Sequence, residues 1–258
     1  MVFLLACNGN QTTSTQEAES TKADTAAVKL PLSFTEKVEA AHARSSFLSR
    51  EAIQFDFRLT FGGKQRMDAR MTLLTNSTKG LIEMSNGDKI LFDQDKVYHS
   101  PGMENAKSIR FSAYTWPYFF LFPYKLSDPG TRWKDYPIDT LNNTSYLTQK
   151  LTFAPGTGDA PKDWYIVYAD TASHLIEVGA YIVTANKTVE EAEEDPHAIQ
   201  YLEYQDVDGI PISTHWYFWE WRRDGGLTRQ LGEAFVQNAK FVQVEESTFE
   251  VPEGFEEI

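Results

Sequence analysis

The sequence predicts a mainly β fold, a single strongly curved antiparallel sheet with a few short helices covering its concave face. Three observations carry that expectation. Segments of strict two-residue alternation recur along the chain between turn dipeptides, and no helical pattern alternates with them, which excludes a parallel α/β sheet. Two later segments, WYIVY and HWYFWEW, are apolar on both faces, so each face needs a cover. The segment TWPYFFLFPYKL, Thr115 to Leu126, is too aromatic to lie in water and too marked by proline to be an interior strand.

At 258 residues, 41% hydrophobic and 14% aromatic, the chain can bury a sizeable core. Its net charge of −13, with no Lys/Arg cluster, repels phosphate backbones and anionic lipid headgroups, so nucleic acid is not an expected partner. No apolar run approaches the ~20 residues of a membrane-spanning helix. The one cysteine, Cys7, permits no intrachain disulfide and no cysteine-based metal cluster. Leu4-Leu5-Ala6-Cys7 resembles a bacterial lipobox, a resemblance that implies cleavage before Cys7 and lipidation of its new N-terminus. Six preceding residues are too few for a signal peptide's charged and apolar regions, so Met1 reads as a late start or a truncation.

Residues 1–7 are therefore expected to be a truncated signal and lipobox, 8–30 a flexible tether, and 31–258 the folded domain. The tether lacks aromatics and cannot bury enough apolar surface to fold. A coil of ~20 residues reaches roughly 25 Å, enough to stand a domain off a membrane. No acidic run follows Cys7, which leaves a periplasm-facing outer-membrane anchor as the expected location. A monomer touching the membrane through its N-terminal lipid alone is the expected state.

Ser33 to Leu48 reads as one amphipathic helix, with Ser33 and Glu36 at capping-box spacing and Phe34, Val38, Ala41 and Leu48 on one face. Gln54 to Phe61 then alternates, Phe55, Phe57, Leu59 and Phe61 facing in. Gly62-Gly63 turns the chain into Arg66 to Leu73, with Met67, Ala69, Met71 and Leu73 buried. GLIEM, KILFD and KVYHS follow, separated by turns at Asn86-Gly87 and Gln94-Asp95, which makes a five-stranded meander.

From Tyr114, seven aromatic residues fall within eleven positions. At roughly 150–250 Å² each they exceed the largest patches that soluble monomers expose. Ser112 to Phe122 is expected to form one or two helical turns, Pro117 near the start and Pro123 at the end, lying as a lid in the hollow of the sheet. SYLTQKLTF, WYIVYAD, HLIEVGAYIV, AIQYLEYQ, IPISTHWYFWEW and TRQLGEAFVQ continue the strands, for ten to twelve in all. APGTGDAP, Val207-Asp208-Gly209 and Arg223-Asp224-Gly225-Gly226 supply turns. In WYIVY, Trp164, Ile166 and Tyr168 oppose Tyr165 and Val167. In HWYFWEW, Trp216 and Phe218 oppose His215, Tyr217, Trp219 and Trp221. Glu190 to Asp195, EEAEED, reads as a solvated loop without the alternating spacing of a calcium loop.

A leading helix, a meander containing GLIEMSNGDKILFDQDKVYHSPG, an interposed helical lid and a second set of strands resemble the LolA/LolB-like superfamily of outer-membrane lipoprotein carriers and receptors. That resemblance implies an incomplete β-barrel of about eleven strands closed by helices. FPYKLSDPG, DWYIVYADTASHLIEVGAYIV, YLEYQDVDGIPISTHWYFWEW and TFEVPEGFE are similar to uncharacterised lipoproteins of Bacteroidota with this fold. The carrier's function does not transfer with the fold.

No catalytic residue, metal site or cofactor is expected. None of His42, His99, His174, His197 and His215 stands at tight metal spacing. His42 and His197 are expected in solvent, and His215, amid aromatics, is expected to be the buried one. There is no nucleophile elbow and no phosphate-cradling glycine loop. The functional expectation is a non-catalytic binder of a hydrophobic ligand or acyl chain, lipid or acylated protein. The ligand would displace Trp116, Phe119, Phe120 and Phe122 from a wall containing Phe57, Met71, Phe92, Trp164, Tyr168, Trp216 and Phe218. About 0.8 kcal/mol per buried CH₂ against 1.5–3 kcal/mol per ring permits that exchange. An interaction scaffold with a filled core is the alternative. A carbohydrate-binding or glycoside-acting protein using Asp163, Asp170 or Glu220 is a second.

Overall fold

Ser33 opens the first helix through a complete capping box: its Oγ accepts from the Glu36 amide at 3.3 Å, and its own amide donates to the Glu36 carboxylate at 2.8 Å. The helix, α1 (Phe34–Ala41), is shorter than expected. Ala43 takes a left-handed conformation at φ 51° and starts a separate short helix, α2 (Arg44–Leu48). The break corrects the reading of His42. Helical periodicity ends at Ala41, and His42 is fully buried, its Nε2 accepting from the Ile176 amide at 3.0 Å. The structure, a computed structural model, describes residues 31–185 and 187–258, so Cys7 and the tether 8–30 lie outside the described residues.

The first meander runs β1 (Ala52–Phe61), β2 (Lys64–Leu74), β3 (Lys79–Met84), β4 (Lys89–Asp93) and β5 (Lys96–His99). Gly62 and Gly63 both hold positive φ, 61° and 71°, which a two-residue hairpin turn of this kind demands. Phe55 pairs with Met71 and Phe57 with Ala69, and all four are buried, so the alternation puts one continuous apolar face inward. At Gly80 a Cβ would overlap the Phe92 ring, so its absence lets Phe92 lie across β3.

The interposed helix, α3 (Ala106–Leu121), is far longer than the one or two turns expected, and Pro117 lies in its last third. Asn105 caps it by accepting from the Ser108 amide at 3.2 Å, and Ile109 and Ala113 bury a stripe at i, i+4 spacing ahead of the aromatic run. Pro123, in a 3-10 turn over Phe122–Tyr124, ends it.

The second set comprises β6 (Thr131–Asp135), β7 (Thr140–Leu141), β8 (Thr144–Phe153), β9 (Tyr165–Asp170), β10 (Ile176–Tyr181), β11 (His197–Val207), β12 (Ile210–Arg222), β13 (Gly226–Val242) and β14 (Glu256–Glu257). Between β10 and β11, Val189–Glu193 is a short capped helix, α4, in place of the expected loop. The fourteen strands of the described residues form one open antiparallel sheet, in the order β14-β5-β4-β3-β2-β1-β13-β12-β11-β10-β9-β8-β6, with β7 on β8. The β1–β13 pairing joins the two halves.

Ring contacts of α3 show the curvature directly. Phe120 stacks on Phe55 of β1 at 4.1 Å, Tyr114 meets Phe92 of β4 at 5.5 Å, and Trp116 meets Phe218 of β12 at 5.9 Å. Phe119 meets Tyr181 of β10 at 5.0 Å, and Tyr118 meets Tyr165 of β9 at 5.7 Å. Strands so far apart in the sheet order reach one helix only if the sheet wraps around it. The two-faced strands are covered on both sides as expected. Tyr165, Val167, Trp216 and Phe218 join the concave core, while Trp164, Ile166, Tyr168 and Trp221 build a second cluster on the convex face. Among the described residues, no helix is long and apolar enough to cross a membrane.

Candidate functional site

The sheet does not close, and α3 bridges the seam between its two flanks. Arg110, near the helix N-terminus, donates from Nη1 to the Asp95 carbonyl at 3.0 Å in the β4–β5 turn. Its Nε and Nη2 fork onto both carboxylate oxygens of Asp159, at 2.7 and 2.8 Å, in the β8–β9 loop. One turn on, Tyr114 donates its hydroxyl to the Gln94 carbonyl at 3.0 Å. After the helix, Lys125 donates to Ser77 Oγ at 2.6 Å on one flank and pairs with Asp128 on the other.

Along this seam runs a cleft of about 740 Å³ between α3, the β8–β9 loop and the concave ends of β9 and β10. That volume lies within the range of small-molecule sites. Its aromatic wall includes Tyr118 and Phe119 from the helix, Phe153 from β8, Tyr165 from β9 and Tyr181 from β10. Tyr165 and Tyr181 are partners in the β9–β10 register, which is why their rings sit side by side, 5.8 Å apart. Gly130 lets the β8–β9 loop pack close, since a Cβ there would collide with the Thr157 side chain.

The cleft's electrostatics are uneven. Arg110 and Asp159 neutralise each other, as do Lys125 and Asp128. Asp163, 9% exposed, accepts from the amide and hydroxyl of Thr184 at 2.8 and 2.7 Å, both through Oδ1. No cation pairs with it among the described residues, and burial pushes its carboxyl above the usual range despite those two bonds. Burial likewise raises the phenols of Tyr118, Tyr165 and Tyr181, and the Asp163 carboxylate adds to the rise at all three.

Of the wall residues expected from the sequence, Phe92 and Phe119 line this cleft. Phe57, Met71, Phe120, Phe122, Trp216 and Phe218 are buried in the concave core, with Trp116 packed against it. Trp164 and Tyr168 sit on the opposite face: Trp164 donates to Glu193 of α4 at 2.9 Å, and the Lys150 ammonium lies 4.4 Å from its ring centre. Alternation separates the two faces of β9 correctly, but the ring of β9 that meets the cleft is that of Tyr165, not its neighbours. Tyr118, Phe153, Tyr181 and Arg110 escape the sequence reading as cleft residues, whereas Asp163 was considered only as a carboxylate for sugar chemistry. The parity of WYIVY combined with a β9–β10 hairpin register would have found Tyr165 and Tyr181 together.

His215 is not the one buried histidine. His42 and His99 are more deeply buried, and His215, its side chain 12% exposed, lies on the convex side, 3.5 Å from Glu203 and 3.7 Å from Glu233. The carboxylates considered for glycoside chemistry do not converge. Asp163 precedes β9 and Asp170 ends it, roughly 23 Å apart along an extended strand, and Glu220, on β12, is separated from β9 by β10 and β11 and paired with Arg229. Among the described residues no group of three or more His, Cys, Asp or Glu is placed to hold a metal ion.

A family profile described as "Family of unknown function (DUF6503)" matches residues 53–219. No curated protein matches the chain. Among solved structures, a LolA superfamily protein from Nitrosomonas europaea superposes with a TM-score of 0.53 at 7% identity, over 83% of this chain and 97% of that one. A protein from Vibrio parahaemolyticus named for outer membrane lipoprotein sorting does so with a TM-score of 0.52 at 12% identity, over 84% and 97%. At these identities the likeness is one of fold, and the fold is LolA-like, as the order of elements implied.

Proposed function

The chain belongs to DUF6503, a family of unknown function, and for it we propose a non-catalytic role: binding a hydrophobic or amphipathic ligand, such as a lipid or an acylated protein, in the seam cleft. The observation that carries this reading is the cleft itself, about 740 Å³ walled by aromatic rings, where a filled interior would have favoured a scaffold. The ligand lodges beside α3. Exchange of the whole lid is not required, because Phe120 and Trp116 already fill the opposite side of the hollow. The absence of convergence between Asp163, Asp170 and Glu220 supports binding rather than glycoside chemistry.

In the same reading the protein is a monomeric envelope lipoprotein, held by acylated Cys7 through the tether 8–30, with 31–258 facing the periplasm. The fold it shares with a protein named for outer membrane lipoprotein sorting supports that location. Three experiments test the proposal. Organic extraction of the purified full chain followed by mass spectrometry is expected to release a co-purified lipid, and Val183→Trp, on the cleft wall, is expected to abolish binding of a hydrophobic fluorophore. A wild type that binds no fluorophore and carries no lipid refutes the cleft. Cys7→Ser is expected to eliminate incorporation of a labelled fatty acid, and retained labelling refutes the anchor.

A further inference from the structure

Asp163 is the least expected group in the cleft. It is more than nine-tenths buried, its Oδ1 is engaged by Thr184, and its Oδ2 has no partner among the described residues. A buried carboxylate is normally paired with a cation. The lining cations are not placed to serve. Arg110 is forked on Asp159, Lys125 is bound to Asp128 and Ser77, and Lys107 stands eleven residues before Tyr118, roughly 16 Å along the helix. What surrounds Asp163 is aromatic. Tyr118 lies 5.7 Å from Tyr165 at 50°, Tyr181 lies 5.8 Å from Tyr165 at 29°, and Phe153 meets Tyr165 edge-on at 6.1 Å. Tyr118, Tyr165 and Tyr181 line the same cleft as this uncompensated carboxylate and feel its charge, an environment that attracts an organic cation and disfavours an anion.

We propose that this part of the cleft receives an alkylammonium group: the ammonium of a long-chain amphiphile lies among Tyr118, Tyr165 and Tyr181 and donates to Asp163 Oδ2, with its chain running along the cleft toward Phe119 and Phe92. The proposal rests on the cleft-binding reading above and names its ligand class. The chain's net charge of −13 favours the same sign of ligand. The burial that raises the Asp163 carboxyl is a cost that a bound ammonium would offset.

The test is calorimetric titration of the full chain with three probes of equal chain length, dodecylammonium, dodecanol and dodecanoate, each below its critical micelle concentration. Dodecylammonium is expected to bind about tenfold more tightly than dodecanol, and dodecanoate more weakly than either. Asp163→Asn keeps an oxygen for Thr184 and is expected to abolish the preference while leaving dodecanol affinity within twofold. Thr184→Val, which removes the hydroxyl bond but keeps the carboxylate, is expected to retain the preference. Should Asp163→Asn fail to fold, Tyr118→Leu, on the half-buried flank of α3, is expected to shrink the preference in the same way. Equal binding of all three probes by the wild type, or a preference unchanged by both Asp163→Asn and Tyr118→Leu, overturns the ammonium assignment while leaving the cleft as a lipid site. Failure of all three probes to bind overturns the cleft reading and this proposal with it.

Discussion

His42 predicts a loss of stability in mildly acidic solution that a single substitution should remove. Its ring is fully buried between the edges of Tyr124 and Tyr204, and Nε2 accepts from the Ile176 amide at the start of β10. An Nε2 that accepts leaves the proton on Nδ1, and Nδ1 has no hydrogen-bond partner. Burial lowers the folded-state pKa from 6.5 to about 3. The unfolded chain takes up a proton near pH 6.5 that the folded chain refuses until near pH 3, so stability is greatest above 6.5 and falls as the pH drops through that window. At about pH 5 the gap of roughly 1.5 pH units corresponds to ~2 kcal/mol. His42→Gln keeps an acceptor for the Ile176 amide and does not titrate. Urea unfolding at pH 7.5 and pH 5 is expected to show the wild type losing about 2 kcal/mol more than His42→Gln. Burial also lowers the pKa of His197, but that residue is present in both proteins and cancels. The same loss in both proteins refutes the claim that His42 is held neutral by burial.

Two further perturbations probe the helix and the seam. Phe120→Ala deletes the ring stacked on Phe55 and should cost about 3–5 kcal/mol in denaturant unfolding. Fluorophore affinity should stay within twofold, and a tenfold rise would mean that ligand replaces the lid rings instead of lodging beside them. Arg110→Gln breaks the fork to Asp159, whose partners are 32% and 45% exposed, and should cost no more than ~1 kcal/mol of global stability. It should nonetheless speed limited proteolysis within Ala154–Asp163 several-fold, and an unchanged cleavage rate would show that the loop is held by other contacts.

The sheet was legible because β1 and β2 alternate buried and open positions over most of their length. The Phe55-Phe57-Leu59 alternation and the Gly62-Gly63 turn admit one pairing, and that pairing is present. The helices were harder because their limits depend on single backbone conformations. Ala43 at φ 51° is not a residue type that advertises a left-handed turn, yet it divides the first helix and turns His42 inward. Pro117 reads as a start signal in sequence, although the Asn105 cap and the Ile109-Ala113 stripe place it late in α3. The site was legible in kind and not in place. Alternation divides WYIVY into two faces but cannot say which is concave, and both faces of this strand are covered. The β6 and β14 edges, with Trp133 their one large apolar residue, offered no apolar alternation in sequence to detect.

Access to the cleft follows from the weakness of what spans it. The Arg110–Asp159 fork and the Arg110 bond to Asp95 join the flanks near the N-terminal end of α3, and Lys125 joins them beyond its C-terminal end. The rings between them belong to one helix and are already committed to the core through Phe120 and Trp116. Opening the N-terminal end therefore does not require the helix to leave the hollow. It requires a partly exposed ion pair to separate, at a cost of about 1 kcal/mol or less. A ligand regains that cost with roughly two buried methylenes, at ~0.8 kcal/mol each. Displacing the whole lid would instead forfeit several rings at 1.5–3 kcal/mol apiece. The cheaper route is a loop that yields beside a stationary helix, so exchange rate should respond to Arg110 and Asp159 far more than to the core rings. If Phe120→Ala accelerates ligand release more than Arg110→Gln does, measured by stopped-flow displacement of the fluorophore, the helix is the moving part and this assignment of the gate is wrong.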